Sequence, residues 1–345
     1  MKSARKPPTM ADVAREAGVS PMTVSRAFKS DAYVNDETRR AILLAADRLG
    51  YVMDSMASGL SSRKTGFVAV TIPSINNANF ADTVRGLTDG LLDKGLQVLL
   101  GYTNYSLEEE ERLVRQLLTR RPEAIVVTGG KHTGKCRAML ENAGIPVIET
   151  WDLPPDPIDS VVGFSNAEAS AMIVRHLVST GRSKIAFLGG DTSRDTRGFD
   201  RRRGFVRTMQ ELKLDATRLA EIGPPPISMR EGADALARLM AKWPDTEAVV
   251  CVSDLVAYGA LTECQRLGIE VPGEMAVAGF GAYEISDICV PPITSVDPHC
   301  YQIGLLSAGR ILELLSDEED GKSHRQTVLD PGLLIRASTV SPEKA

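Results

Sequence analysis

Three observations predict an α/β protein in two parts, a small all-α module followed by a doubly wound parallel-sheet body of two subdomains. The run 9–28, TMADVAREAGVSPMTVSRAF, carries the capping and turn residues of two short helices joined tightly. From Phe67 the pattern changes to short apolar runs without alternation, separated by amphipathic helices, as parallel strands covered on both faces require. Charge divides at the same place: residues 1–65 hold 11 Lys or Arg against 7 Asp or Glu, leaving 29 against 38 for the remainder. A basic module on an acidic body is the distribution expected of a phosphate-binding head with its own regulatory domain, and 345 residues leave room for both.

Residues 1–8 read as a basic, proline-bearing arm. Thr9 with Asp12 has capping-box spacing, so a helix begins there, with Val13, Ala14 and Ala17 on its inner face. Gly18 supplies the left-handed exit and Val19 fills the space beneath the turn. Ser20 caps a second helix with Pro21 at its first position, where a missing N–H costs nothing, and Val24, Ala27 and Phe28 face inward. Asn35 caps a third helix, DETRRAILLAADRL, whose Ile42, Ala45, Ala46 and Leu49 close the core before Gly50 ends it. Pro21, Met22, Thr23, Ser25 and Arg26 remain outward on or at the start of the second helix. Those side chains suit base edges and phosphates, and a helix-turn-helix leads into the major groove with that end. The candidate DNA-binding residues are Thr9, Ser20, Pro21, Met22, Thr23, Ser25, Arg26, Asn35 and, from the resemblance given below, Leu60.

The serine-rich run YVMDSMASGLSSRKTG reads as a linker, because Gly59 and its serines disfavour an isolated helix. Strands are predicted at 67–72, 96–100, 124–127, 146–149, 184–189, 247–252 and 275–280, with helices near 79–94, 106–119, 133–143, 165–180, 198–213, 228–242 and 254–267. Ligands of open α/β sheets bind beyond the carboxyl ends of the strands. The loops there carry Ser74, Asn76, Asn77, Asn79 and Phe80, then Tyr102 to Tyr105, Lys131 and His132, Glu149 and Trp151, the arginines from Arg194 to Arg203, and Ser253 with Asp254. The effector-binding candidates drawn from them are Ser74, Asn76, Asn79, Phe80, Tyr102, Lys131, His132, Glu149, Arg194, Arg197, Arg201 and Asp254.

Other functions are disfavoured by what the residues do not spell. Gly129-Gly130, Gly189-Gly190 and Gly279-Phe280-Gly281 follow strands but complete neither a dinucleotide fingerprint nor a P-loop. The four histidines are scattered and no nucleophile elbow occurs. Cys136, Cys251, Cys264, Cys289 and Cys300 are odd in number with no C-x-x-C pair, so neither a disulfide framework nor a zinc site is expected. With no secretion signal or bilayer-spanning run, the expectation is a cytoplasmic protein without cofactor, metal or catalytic residues.

The quoted motifs Asp12-Val13-Ala14, Ala17-Gly18-Val19-Ser20 and Thr23-Val24-Ser25-Arg26 resemble the headpiece of the lactose-repressor family of bacterial transcription regulators. The resemblance implies a headpiece at 1–53 and a hinge at 54–65 that becomes helical on operator DNA, with Leu60 wedging into the minor groove, Met56 one turn earlier and Asp54 as cap. Ser58-Gly59 and Ser61-Ser62 depart from the better helix formers of the family. The resemblance further implies an effector-binding and dimerising body of periplasmic-binding-protein type at 66–340. Its subdomains are expected at 66–163 with 294–324 and at 164–293 with 325–340, the chain crossing near Gly163, Thr294 and Arg325. A homodimer on pseudo-palindromic operator DNA is expected, and no leucine-heptad tail follows Thr339.

Pro73-Ser74 with Asn77 and Phe80, Gly101-Tyr102 with Tyr105, the Glu108 to Glu111 run, His132-Thr133 and Val162-Gly163-Phe164 most resemble gluconate-operon repressors within that family. By the same resemblance an arginine at the place of Arg201 reaches the ligand, Arg202 and Arg203 being surface residues. Gly281 stands where many members place an acid for a sugar hydroxyl. Arginine excess and the missing acid point to a sugar acid of gluconate type, acting on a repressor of its utilisation genes. The alternatives are a neutral sugar or nucleobase for a regulator of the same family, an enzyme, and a transport-type sugar-binding protein.

Overall fold

The computed structural model describes residues 6–28, 33–53, 65–189, 194–316 and 326–340. The chain divides into two compact units, Met1–Thr65 and Gly66–Ala345. In the first, helices α1 (Met10–Glu16), α2 (Pro21–Ala27) and α3 (Asp36–Leu49) enclose Val13, Ala14, Val24, Ala27, Ile42, Ala45 and Ala46. Phe28 and Tyr51 close the core edge to face, ring centroids 6.1 Å apart. Leu49, expected inside, is 36% exposed because the helix end turns outward at Gly50. The hinge calls on Asp54, Met56 and Leu60 lie outside the described residues.

The second unit holds two six-stranded sheets. In the first, β1 (Phe67–Ile72), β2 (Gln97–Tyr102), β3 (Ala124–Thr128), β4 (Val147–Thr150), β5 (Ser160–Gly163) and β11 (Gln326–Val328) stand in the order β11-β5-β4-β3-β1-β2. Helices α4 (Ala78–Leu92), α5 (Leu107–Leu118) and α6 (Gly134–Glu141) connect its early strands. The second sheet runs β12-β10-β9-β8-β6-β7, from β6 (Ile185–Gly189), β7 (Leu219–Glu221), β8 (Ala248–Cys251), β9 (Ala276–Phe280), β10 (Thr294–Asp297) and β12 (Gly332–Leu334). Its helices are α7 (Asn166–Ser179), α8 (Thr196–Glu211), α9 (Met229–Lys242), α10 (Asp254–Leu267) and α11 (Glu284–Ile288). Every described pairing is parallel except β10 with β12. The central strands are buried along their length, which is why they read as unbroken apolar runs.

Three segments join the sheets. The first follows β5, which ends at Gly163. Thr294–Asp297 pairs in parallel with β9, so the chain leaves the second sheet after Asp297 and not at Thr294. It then forms α12 (Cys300–Leu315), which packs on α4 of the first subdomain. β11 pairs with β5, so the last crossing comes after Val328 and not near Arg325. Glycines let α12 approach α4 closely: a Cβ on Gly86 would sit 2.1 Å from the Tyr301 carbonyl oxygen, and one on Gly304 2.0 Å from that of Thr83. No described helix is long and apolar enough to cross a membrane.

Candidate functional site

The loops after β1, β2, β4, β6, β8 and β9 meet between the two subdomains around a cavity of about 60 Å³. Small-molecule sites usually offer roughly 300–1,000 Å³, so the cleft is closed on itself and must open to admit a ligand of sugar size. Hydrogen bonds tie its two sides together. The Tyr283 hydroxyl donates to Asn77 Oδ1 at 2.7 Å, Asn166 Nδ2 to the Trp151 carbonyl at 2.9 Å, and Arg194 to the Asn104 carbonyl. Arg197 Nη1 reaches the Thr128 carbonyl at 3.4 Å.

Aromatic rings form much of the wall. Phe80 packs edge-on to Trp151 at 5.1 Å, and Trp151 to Phe164 at 5.8 Å, while Trp151 Nε1 donates to Thr83 Oγ1 at 3.1 Å. Asn104, Tyr105, Trp151 and Ala282 all adopt positive φ, between 50° and 70°. Such backbone is uncommon outside glycine and concentrates at binding sites that over-determine it. Here it turns the Tyr105 and Trp151 side chains onto the cavity.

Two arginines of α8 supply the charge. Arg197 is 6% exposed and lies 5.7 Å from the Phe80 ring centroid; Arg201 lies 4.3 Å above Phe280. Arg201 Nη1 donates to Asn166 Oδ1 at 2.6 Å, but its buried Nε has no hydrogen-bond partner. Burial lowers its pKa, opposed by the Asp195 charge. Among the described residues neither guanidinium makes an ion pair, whereas Arg202 pairs with Glu221 at 3.6 Å and Arg203 with Asp200 at 2.8 Å, away from the cavity. Among the described residues the cavity has one carboxylate, Asp195, which already accepts from the Gly198 amide at 3.0 Å. Burial raises the pKa values of Tyr105 and Tyr283, so both hydroxyls stay neutral and able to donate.

Of the twelve residues singled out as effector-binding, Asn79, Phe80, Arg197 and Arg201 line the cavity. Ser74 is buried and accepts from the Asn76 amide at 3.2 Å, and Asn76 itself is exposed. Tyr102 is 53% exposed at the end of β2, and Lys131 lies 5.8 Å from the Phe199 ring on the outside. Arg194 braces Asn104 without lining the cavity. Asp254 is fully buried behind it, accepting from the Tyr283 amide at 2.8 Å and Ser295 Oγ at 2.7 Å, and burial pushes its pKa up to about 6.

His132 and Glu149 point into the first subdomain. His132 Nδ1 sits 2.8 Å from Glu110 Oε2, and burial is outweighed by hydrogen bonds to Cys136, Glu110 and Glu149 that push its pKa up to about 11. The residues omitted from that set include Asn77, Tyr105, Trp151, Asp195 and Tyr283, each within a polar loop after a strand. The glycine at 281 has a structural reason: φ is +125°, and a Cβ there would lie 2.5 Å from the Tyr283 ring and 2.6 Å from Asn79 Nδ2. A carboxylate has no room at that position.

In the N-terminal unit the Thr9–Asp12 capping box is complete, Asp12 Oδ2 accepting from the Thr9 amide at 2.9 Å, which draws the Asp12 pKa down. Ser20 Oγ accepts from the Thr23 amide at 3.2 Å, and Asn35 Oδ1 from the Glu37 amide at 2.9 Å. Pro21, Met22 and Arg26 are exposed, Met22 at 67%, and Thr23 and Ser25 are partly so. Met22 in the first turn of α2 and Arg26 in its last turn are both exposed, an apolar and a cationic side chain of the kinds that suit major-groove reading.

The family model for bacterial regulatory proteins of the lacI family matches residues 9–54, and the model for periplasmic binding protein-like domains matches 174–339. The chain is 36% identical over 334 residues, 96% of each chain, to the HTH-type transcriptional regulator GntR of Pseudomonas aeruginosa. Among solved structures, a LacI family transcriptional regulator from Silicibacter pomeroyi superposes with a TM-score of 0.90 at 30% identity, covering 96% of this chain and 99% of its own. The transcription regulator GntR from Chromobacterium violaceum superposes with a TM-score of 0.74 at 36% identity, over 79% and 99% of the two chains. The chain therefore belongs to the lacI family of bacterial regulatory proteins.

Proposed function

We propose that this regulator is a repressor of sugar-acid utilisation genes whose effector is a hexonate of gluconate type, held in the cleft between the two subdomains. The observation that carries the reading is the pair Arg197 and Arg201, two guanidiniums on the cavity with no ion-pair partner among the described residues. A buried cation without a counter-ion is costly, and the planar fork of arginine suits a carboxylate. Asn77, Asn79, Tyr105 and Tyr283 offer neutral partners for the hydroxyls of such a ligand. The absence of side-chain space at Gly281 removes an acid that would repel the ligand's own charge.

On this reading, ligand entry separates bonds such as Tyr283–Asn77, changes the angle between the subdomains and so alters the hold of a homodimer on operator DNA. In each headpiece Arg26 and Met22 meet base edges, with Thr9, Ser20, Thr23, Ser25 and Asn35 bonding phosphates. A small headpiece buries too little DNA alone, which is the argument for paired half-sites. The test is isothermal titration against gluconate, keto-gluconates, their phosphorylated forms and the matching neutral sugars, followed by operator binding with the best ligand at fixed salt. Tight binding of an acid that shifts operator affinity supports the proposal; binding of neutral sugars only overturns it.

A further inference from the structure

Away from the cleft, α5, the loop after β3 and the first turn of α6 bring Glu110, His132 and Cys136 together. One ligand atom from each lies within 4.8 Å of the other two. Glu110 is 4% exposed, Cys136 fully buried and the His132 side chain 1% exposed. Glu110 Oε2 is 2.8 Å from His132 Nδ1 and 3.9 Å from Cys136 Sγ. On the far side of the imidazole, His132 Nε2 and Glu149 Oε1 face each other at 3.5 Å as a buried ion pair. The other Glu149 oxygen accepts from the Ile158 amide at 2.7 Å.

We propose that Glu110, His132 Nδ1 and the Cys136 thiolate form a zinc site in the first subdomain, with Glu149 receiving the Nε2–H of the ligating imidazole. The donor set of one carboxylate, one imidazole and one thiolate is the mixed oxygen, nitrogen and sulfur set that zinc takes in tetrahedral geometry. With bonds of about 2.0 Å to nitrogen and oxygen and about 2.3 Å to sulfur, the edges of such a tetrahedron measure roughly 3.3–3.5 Å. The separations of 2.8 and 3.9 Å bracket that range, and all three ligand atoms lie within 4.8 Å of one another, so the side chains would draw together around the ion.

Ligating histidines usually give their other N–H to a carboxylate, which fixes the tautomer, and Glu149 stands in that place. The pair is already in place at 3.5 Å, so the imidazole is held with Nδ1 toward Glu110. Binding is balanced by loss of two protons, one from Nδ1 and one from the thiol, so the dication meets one thiolate and one carboxylate as direct ligands. The ion would cross-link α5 to α6 and, through Glu149, to the strand that continues into Trp151 of the cleft wall.

The test uses the full-length protein purified from zinc-supplied medium without chelator. Elemental analysis should find one zinc per chain, and exchange for cobalt should give a thiolate-to-cobalt charge-transfer band. No other group of three ligand-type residues lies within reach of an ion among the described residues, so the band reports Cys136. Cys136→Ser should abolish it. Glu149→Gln should keep one-to-one binding while weakening it about 10- to 100-fold, as loss of an outer partner does elsewhere. Should Cys136→Ser fail to fold, the zinc content and cobalt spectrum of wild type and Glu149→Gln decide alone. Protein that retains no zinc and shows no cobalt band, or a band that survives Cys136→Ser, overturns the proposal.

Discussion

Two polar clusters in the second unit bury charged side chains of opposite sign, and each leaves its own sign in excess. In the cleft, Arg197 and Arg201 face one carboxylate among the described residues, Asp195, which already accepts from the Gly198 amide, so positive charge is in excess there. Around His132, the carboxylates of Glu110 and Glu149 flank one imidazole, so negative charge is in excess. Buried charge of either sign is tolerated only with a partner. The first arrangement supports the proposal of an anionic ligand and the second that of a bound cation or a retained proton.

That difference was only half legible in the sequence. Lys131 and His132 follow a strand just as Asn79 and Arg197 do, and Glu149 lies near the end of β4, and position at that end of a strand marks the side of the sheet where a ligand sits. It does not say which way a loop turns. His132 turns inward because Glu110, one helix earlier, offers it a buried carboxylate, and no local pattern encodes that pairing. Seven strands, the edge strand β2 among them, were readable because each sits in a short apolar run flanked by helical patterns. β5, β10, β11 and β12, three or four residues each, carry no period to read, which is why two of the crossings shift by a few residues. The headpiece was the clearest part, since its caps lie within three residues of what they cap.

The contrast breaks most severely at Arg201. Arg201→Ala should lower hexonate affinity by about 100-fold, within the roughly 2–5 kcal/mol typical of losing one partner of a buried charged hydrogen-bonded pair. Titration calorimetry checks it, with operator affinity of the unliganded protein expected to stay at the wild-type value. Equal affinity in variant and wild type would remove the cationic cleft. A smaller effect is expected from the other unit: Arg26→Ala should cost about 1–3 kcal/mol of specific operator binding and leave hexonate binding intact. Filter binding at one fixed salt concentration separates the two arginines, because each variant should lose one activity only.

Asp254 sharpens the comparison through pH. It is an acid beside the cleft that the fold keeps for itself, and burial lifts its pKa from 3.8 to about 6, with hydrogen bonds from Ser295 and Tyr283 pulling the other way. The native state therefore takes up a proton as pH falls through about 6, before the unfolded chain does near its ordinary value of 3.8. The ionised form costs stability above that window, so this group makes the protein less stable as pH rises from about 4 to 6, by at most about 1.4 kcal/mol per pH unit. Asp254→Asn imitates the neutral acid and should remove that component of the slope. Urea unfolding at several pH values tests this; parallel curves for variant and wild type would mean that Asp254 keeps an ordinary pKa.

The smallest effect should come from the arginines that the same helix turns outward. Arg203 shares α8 with Arg197 and Arg201, and a reading by charge alone would give all three to the ligand. Its guanidinium is 63% exposed and already paired with Asp200 at 2.8 Å. Exposed ion pairs are screened by solvent and contribute little, commonly under about 1 kcal/mol. Arg203→Ala should therefore change hexonate affinity by less than about threefold, a difference of roughly 0.6 kcal/mol. Titrating the variant beside Arg201→Ala at low and at physiological salt makes the measurement decisive. A large loss at Arg203 that fades with salt would show the cleft attracting its ligand by long-range field rather than by the two buried forks.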